Sequence, residues 1–250
     1  MTAVIENQLL QQYETGVELA RQKFAQASGM TTLLDPHIDP LLLELFFIYF
    51  SSRGVALTEP VEDWLIRSGQ RCEEVGFAEL GRAIRSHAKA EAGHHHMMIK
   101  DTHALVERWN TQRMPQFNAA QLLAQPPTPG GVLYRQLHEE TIAGNTPFAQ
   151  IAIEFEIEML PVQYGPQLIR QCKTVLGPDI LACLSFIDEH ITLDVGHTKF
   201  NTQQLEKFLH TYPQSVAPLT VAGSRVLAAY ATFMHDCLDL AQASVEALRC

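Results

Sequence analysis

The sequence predicts an all-α protein, a bundle of about seven to nine helices in a single domain over residues 1–250. Three observations predict it. Apolar residues recur at helical spacing through almost every segment, no useful length alternates apolar with polar residues as a half-buried strand would, and proline pairs mark helix starts and stops. With 46% hydrophobic residues over 250 positions, the chain has ample material for a core.

The elements follow in order. Thr2 to Ala27 carries an amphipathic pattern (Val4, Leu9, Leu10, Tyr13, Val17, Leu19, Ala20, Phe24) ending near Gly29. Asp39-Pro40 supplies an N-cap with proline at the first helical position and opens an apolar helix to about Phe50. Thr58-Glu59-Pro60 starts another helix through Trp64 and Ile66, and a long helical stretch runs from about Phe77 to Trp109 with a candidate interruption at Gly93. Residues Thr111 to Gly131, with Met114-Pro115 and a Pro/Gly-rich run from Gln125, form the clearest loop and read as a crossover. Helices are then expected over Val132–Ala143, from Thr146-Pro147 to about Val175, from Pro178 to about Phe200, over Asn201–His210 and over Val216–Leu248.

Charge and composition narrow the function. A formal charge of −10 and a pI near 5.5 argue against nucleic acid as partner. No apolar run reaches the roughly 18–20 residues of a membrane span, and Pro40–Phe50 is short and broken by Glu44. The N-terminus lacks the regions of a signal peptide, so a cytoplasmic protein without a membrane is expected. Cys72, Cys172, Cys183, Cys237 and Cys250 are scattered without a CxxC pair and read as reduced thiols.

The most informative residues lie in the run from Ser185 to His197. His190, Asp194 and His197 stand at i, i+4 and i+7, which on a helix points them within roughly 60° of one another. Two imidazoles and a carboxylate on one stripe form a three-toothed metal claw. Glu91-x-x-His94 supplies a second carboxylate–imidazole pair, a spacing that helical bundles use for two-metal sites. The third source is Glu154-Phe-Glu156-Ile-Glu158. Glu154 and Glu158 share a face, Glu156 points away, and acids on such an apolar helix are costly to bury without a cation. The expected ligands are Glu91, His94, Glu158, His190, Asp194 and His197. Glu154, His95, His87 and His103 remain further candidates for the ligand set or its surroundings.

Carboxylates and imidazoles without thiolate suit iron or manganese better than structural zinc. Each cluster alone has an ordinary explanation: an exposed ExxH, surface glutamates, or a core histidine bonded to a carboxylate. Their joint occurrence carries the metal reading. An apolar substrate lining is expected from Phe148, Phe155, Met159 and Phe186. His138-Glu139-Glu140 reads as solvated helix surface, His37 as a turn residue and Cys183 as a buried small hydrophobe.

The order ExxH, then an acidic helix near residue 155, then His190-x3-Asp194-x2-His197, resembles the haem-oxygenase-like di-iron oxidases and oxygenases over most of the chain. Family ligands carry onto Glu91, Glu158, His190, Asp194 and His197, while His94, His95 and His103 compete for the first-helix histidine. The resemblance implies a haem-oxygenase-like bundle holding two Fe(II) ions, with O2 as co-substrate and a small organic substrate. Its implied outcomes are C–C cleavage, N-oxygenation, or nitrile or alkene formation in a biosynthetic pathway. An amino-acid-derived substrate is favoured over a fatty acid, with an external electron donor and a homodimer among the expectations. The alternatives are a metal-independent thiaminase-type or quinone-cofactor-synthase-like enzyme on the same fold, and a non-enzymatic metal-binding helical protein.

Overall fold

The computed structural model describes residues 2–249, with side chains described from Gln8 to Arg249, so Val4 and Cys250 of the readings above lie outside the described side chains. Eleven α-helices occur among the described residues. They are α1 (Thr2–Ala25), α2 (Ser28–Leu33), α3 (Pro40–Thr58), α4 (Val61–Glu74), α5 (Ala78–Glu91), α6 (His95–Gln112), α7 (Ala119–Leu123), α8 (Pro129–Ala143), α9 (Gln150–Leu176), α10 (Ser185–Thr211) and α11 (Val216–Arg249). No strand occurs among the described residues. The count exceeds the expected seven to nine because α2 and α7 are single short turns of helix, six and five residues long.

Local chemistry sets most boundaries. Asp39 caps α3, its side chain accepting from Leu41 N at 2.9 Å, with Pro40 following. Thr128 caps α8 by accepting from Gly131 N, and Pro129 again takes the first position. Gly130 lets α8 approach α11 closely, because a Cβ there would lie 2.2 Å from the Phe233 nitrogen.

Several sequence boundaries need correction. Helix α3 continues past Phe50 to Thr58, since nothing after Phe50 stops it: Ser51 to Gly54 are all buried in the core. The segment after Pro178 is a 3-10 turn over Pro178–Cys183, so Cys183 lies before the claw-bearing helix rather than on it. Helix α10 then runs unbroken through Asn201, merging two expected helices. Part of the loop expected from Thr111 to Gly131 is the short helix α7.

Helix α11 is the hub, packing against α1, α3, α8 and α9, while α4 pairs with α5 and α9 with α10. One continuous core joins these elements, including Trp64, Trp109, Tyr13, Phe46, Phe47 and Phe233. Two helical stretches, Pro40–Glu74 and Pro213–Arg249, contain 18-residue windows with mean hydropathy of 1.4 and 1.2, long and apolar enough to span a membrane by composition alone. The expectation that no stretch qualifies is therefore too strict. In the first window 72% is buried inside the fold, as a core helix requires, against 39% in the second.

Candidate metal centre

Helices α5, α9 and α10 bring their polar faces together around Glu91. The expected break at Gly93 is present: Ala92 is extended, Gly93 has φ +83° and α6 begins at His95. That positive φ is readily reached only by glycine. The Glu91–His94 pair is thus made by a turn between two helices, not by one helix face. The turn places His94 Nδ1 3.0 Å from Glu91 Oε2 and 3.2 Å from His190 Nε2.

The other Glu91 oxygen faces a second set of donors. His197 Nδ1 lies 3.1 Å and His87 Nε2 3.7 Å from Oε1. Glu158 Oε1 stands 2.7 Å from His87 Nε2 and 3.8 Å from His197 Nδ1. Two groups of potential ligand atoms result, His87–Glu91–Glu158–His197 and Glu91–His94–His190, each with atoms within 4.8 Å of one another. Glu91 belongs to both. Asp194 borders the second histidine, its Oδ1 3.1 Å from His197 Nδ1, and lines the same cavity as His190.

Neighbouring groups orient these ligands. His190 Nδ1 is 2.6 Å from the Phe186 carbonyl. A carbonyl only accepts, so the proton sits on Nδ1 and the Nε2 lone pair points toward His94 and Glu91. Asn201 Nδ2 donates to Glu158 Oε2, and Phe200 stacks on His87 at 5.5 Å and 15°.

Electrostatics favour a cation here. Burial and then the nearby Glu91 and Asp194 charges hold the Glu158 carboxyl well above the usual carboxylate range, and Glu154 is pushed up to about 8 by burial and by Glu158. Burial also lowers His87 and His190, whereas the Asp194 contact raises His197. For Glu91 burial acts upward, but the His94 hydrogen bond and surrounding imidazoles bring it below its ordinary value. Neither lysine nor arginine lines the cavity around Glu91, Glu154, Glu158 and Asp194. Glu91 Oε1 is buried and accepts no well-aligned hydrogen bond. A buried orphan carboxylate oxygen between imidazoles fits a divalent metal, which would displace the protons and supply the missing positive charge.

The remaining candidates separate clearly. His87, a weak candidate in the sequence, is buried inside the ligand cluster; its i, i+4 relation to Glu91 was the available signal. His95 is half-buried and packs on His96, ring centroids 4.0 Å apart, outside both groups. His103 is exposed on α6, two turns beyond the break. Glu154 is buried and lines the cavity but accepts from Gln150 Nε2 at 2.6 Å and belongs to neither group. Glu156 does point away, to Arg21 and Tyr13.

Of the expected substrate-lining residues, Phe186 lines the cavity, together with Met98, Tyr134, Tyr230 and Phe233. Phe148 instead packs on Phe77 and Phe208, and Phe155 on Tyr13, while Met159 packs at the core's edge. Helical rotation explains Phe155 and Met159, which are adjacent in sequence to Glu154 and Glu158 and leave the face those acids occupy, whereas Phe148 lies on the 3-10 turn Pro147–Ala149 before α9. His138 also departs from expectation. It is fully buried and stacked on Trp64, whereas Glu139 and Glu140 are surface residues.

No family model and no curated protein matches the chain. Similarity appears in solved structures. A domain of unknown function with a haem-oxygenase-like fold from Shewanella denitrificans superposes with a TM-score of 0.64 at 15% identity, covering 95% of this chain and 91% of that one. A TenA homologue from Pseudomonas syringae gives 0.66 at 13% identity, with 92% and 93% covered. Haem oxygenase-2 from Synechocystis, in complex with haem and NO, gives 0.63 at 16% identity, with 95% and 88% covered. The architecture is therefore that of a haem-oxygenase-like all-α fold.

Proposed function

We propose that the chain is a non-haem di-iron oxidase or oxygenase acting on a small organic substrate. The observation that carries this reading is the two-sided placement of Glu91: Oε1 faces His197 and His87, and Oε2 faces His94 beside His190. Glu91, which belongs to both candidate groups, would with His87, His94, His190 and His197 hold metal, and Glu158 and Asp194 would be the other anionic ligands. Iron bound there would supply O2 activation.

The chain's own residues perform the rest. The Phe186 carbonyl and Asn201 hold His190 and Glu158 in orientation. Met98, Phe186, Phe233 and Tyr230 offer an apolar surface beside the ligands, suited to an aromatic or aliphatic group. An amino-acid-derived substrate with a large side chain is preferred, and a fatty acid is the second choice.

A metal-independent thiaminase-type or quinone-cofactor-synthase-like enzyme on the same fold is the competing reading, compatible with the fold shared with the TenA homologue. Against it stand three buried carboxyl groups, Glu154, Glu158 and Asp194, and the half-buried Glu91 around one cavity lined by neither lysine nor arginine. Anaerobic loading with Fe(II), followed by O2 exposure and watched by absorbance and Mössbauer spectroscopy, separates the two. Two high-spin ferrous ions per chain, oxidised together on exposure, support the di-iron reading. Turnover of candidate substrates at full rate after chelation would reject it.

A further inference from the structure

A buried polar chain enters the cavity from the α4–α8 side. Gln150 Nε2 donates to Glu154 Oε1 at 2.6 Å and contacts His138 Nδ1 at 2.8 Å. With His138 Nδ1 accepting, the imidazole proton sits on Nε2. The His138 ring lies flat on Trp64, centroids 4.0 Å apart and planes 9° from parallel. Trp64 Nε1 in turn donates to Glu139 Oε1 at 2.8 Å, and Arg67 clamps the half-exposed Glu139 at 2.7 and 2.8 Å.

Contacts of 4.0 Å or less thus lead from a surface carboxylate to Glu154 beside the metal ligands. Trp64, His138 and Gln150 are essentially inaccessible, and His138 Nε2 and Gln150 Oε1 have no partner. Stability alone does not favour this arrangement, because unsatisfied buried polar atoms cost more than an apolar pair of similar volume. The Tyr134 ring lies 4.8 Å from His138 and lines the cavity, placing a second oxidisable ring on the route.

We propose, on the basis of the di-iron reading, that Trp64 is a redox relay carrying single electrons between an external one-electron donor at the Arg67–Glu139 surface and the buried site. In the inward step the Trp64 indole gives up one electron toward the site, by way of His138, Gln150 and Glu154. The Nε1–H bond breaks, its proton passes to Glu139 and then to water, and a neutral indolyl radical remains. The external donor returns one electron and water returns one proton, restoring the indole.

Proton loss accompanies electron loss because Arg135 Cζ lies 6.0 Å over the ring and Arg67 holds Glu139, so positive charge on the indole is disfavoured. Arg67 holds Glu139 ionised, so its Oε1 is available to accept the proton from Trp64 Nε1. Burial keeps His138 neutral, so it adds no charge beside the oxidised ring.

The test has two arms. In the metal-free protein, flash oxidation by a soluble ruthenium(III) photo-oxidant is followed by indolyl absorbance and EPR. The indolyl signal should be lost in W64F, retained in W109F, and formed more slowly in E139Q, which keeps the ring and its packing. An unchanged signal in W64F, or equal rates in E139Q, overturns the relay whatever iron does. In the second arm, freeze-quenched iron-loaded protein after O2 exposure should show an indolyl radical that W64F lacks; the same radical in both also overturns it. The expected metal-free result with no iron uptake counts against the di-iron reading alone.

Discussion

The two faces of α9 bury acids by opposite means. On one face Glu156 accepts from Arg21 at 2.9 and 2.7 Å and from Tyr13 at 2.8 Å, and Glu44 of α3 is held similarly by Arg108 and Arg113. On the other face Glu154 and Glu158 look into a cavity shared with Glu91 and Asp194, and no arginine or lysine answers them. Glu154, Glu156 and Glu158 are all buried, so burial alone does not distinguish the two faces of α9. The difference is where the compensating charge comes from. One face is completed by the chain's own arginines, and the other is lined by neither lysine nor arginine.

The comparison breaks most visibly with pH. Glu154 shifts from 4.5 in the unfolded chain to about 8 when folded, so the folded metal-free protein keeps a proton that the unfolded chain releases. Its contribution is fully present below about pH 4.5 and is lost as pH rises to about 8, on the order of 5 kcal/mol across that window. The stability of the parent protein relative to E154Q should fall along this range in denaturant titrations. Iron loading should flatten the trend, because a nearby cation favours the ionised carboxylate. A pH-independent difference in the metal-free protein would contradict the assigned environment.

Removing the built-in cation comes next. Arg21→Met strands Glu156 and should cost about 3 kcal/mol, the low end for breaking a buried pair, since Tyr13 still donates. Glu158→Gln should change metal-free stability by less than about 1 kcal/mol, because burial and the Glu91 and Asp194 charges push the Glu158 carboxyl upward, toward the neutral form that Gln mimics. Urea denaturation of both variants measures the contrast; equal losses would erase it.

Metal gives a comparable effect with opposite sign. Fe(II) at about a hundred times its dissociation constant should stabilise the chain by about 2.7 kcal/mol, raising Tm by roughly 5–10 °C. Calorimetry should find the rise in the parent protein and R67A but not in E91Q or H197A. A smaller effect is expected from Asn201→Ala, which frees Glu158 Oε2. Iron affinity should fall about tenfold or more while the helical spectrum stays intact. Undiminished affinity would remove Asn201 from the site.

Much of this contrast was legible in the sequence. The His190–Asp194–His197 stripe and the opposed directions of Glu154/Glu158 and Glu156 follow from helical periodicity, which depends only on local geometry. The lost details are tertiary. His87 joins the cluster because α5 packs against α10, and His138 is buried because Trp64 of α4 stacks on it. Phe148 and Phe155 carry no signal for which buried surface they meet. Glycine at position 93 was readable as a break, yet the turn's direction, which brings His94 rather than His95 to Glu91, depends on the Ala92 and Gly93 dihedrals.

The most direct test is anomalous diffraction from crystals of the iron-loaded protein, collected at and below the iron edge. Two iron peaks per chain are expected, both within coordinating distance of Glu91, one shared with His87, Glu158 and His197 and the other with His94 and His190. One peak, or peaks away from Glu91, would contradict it.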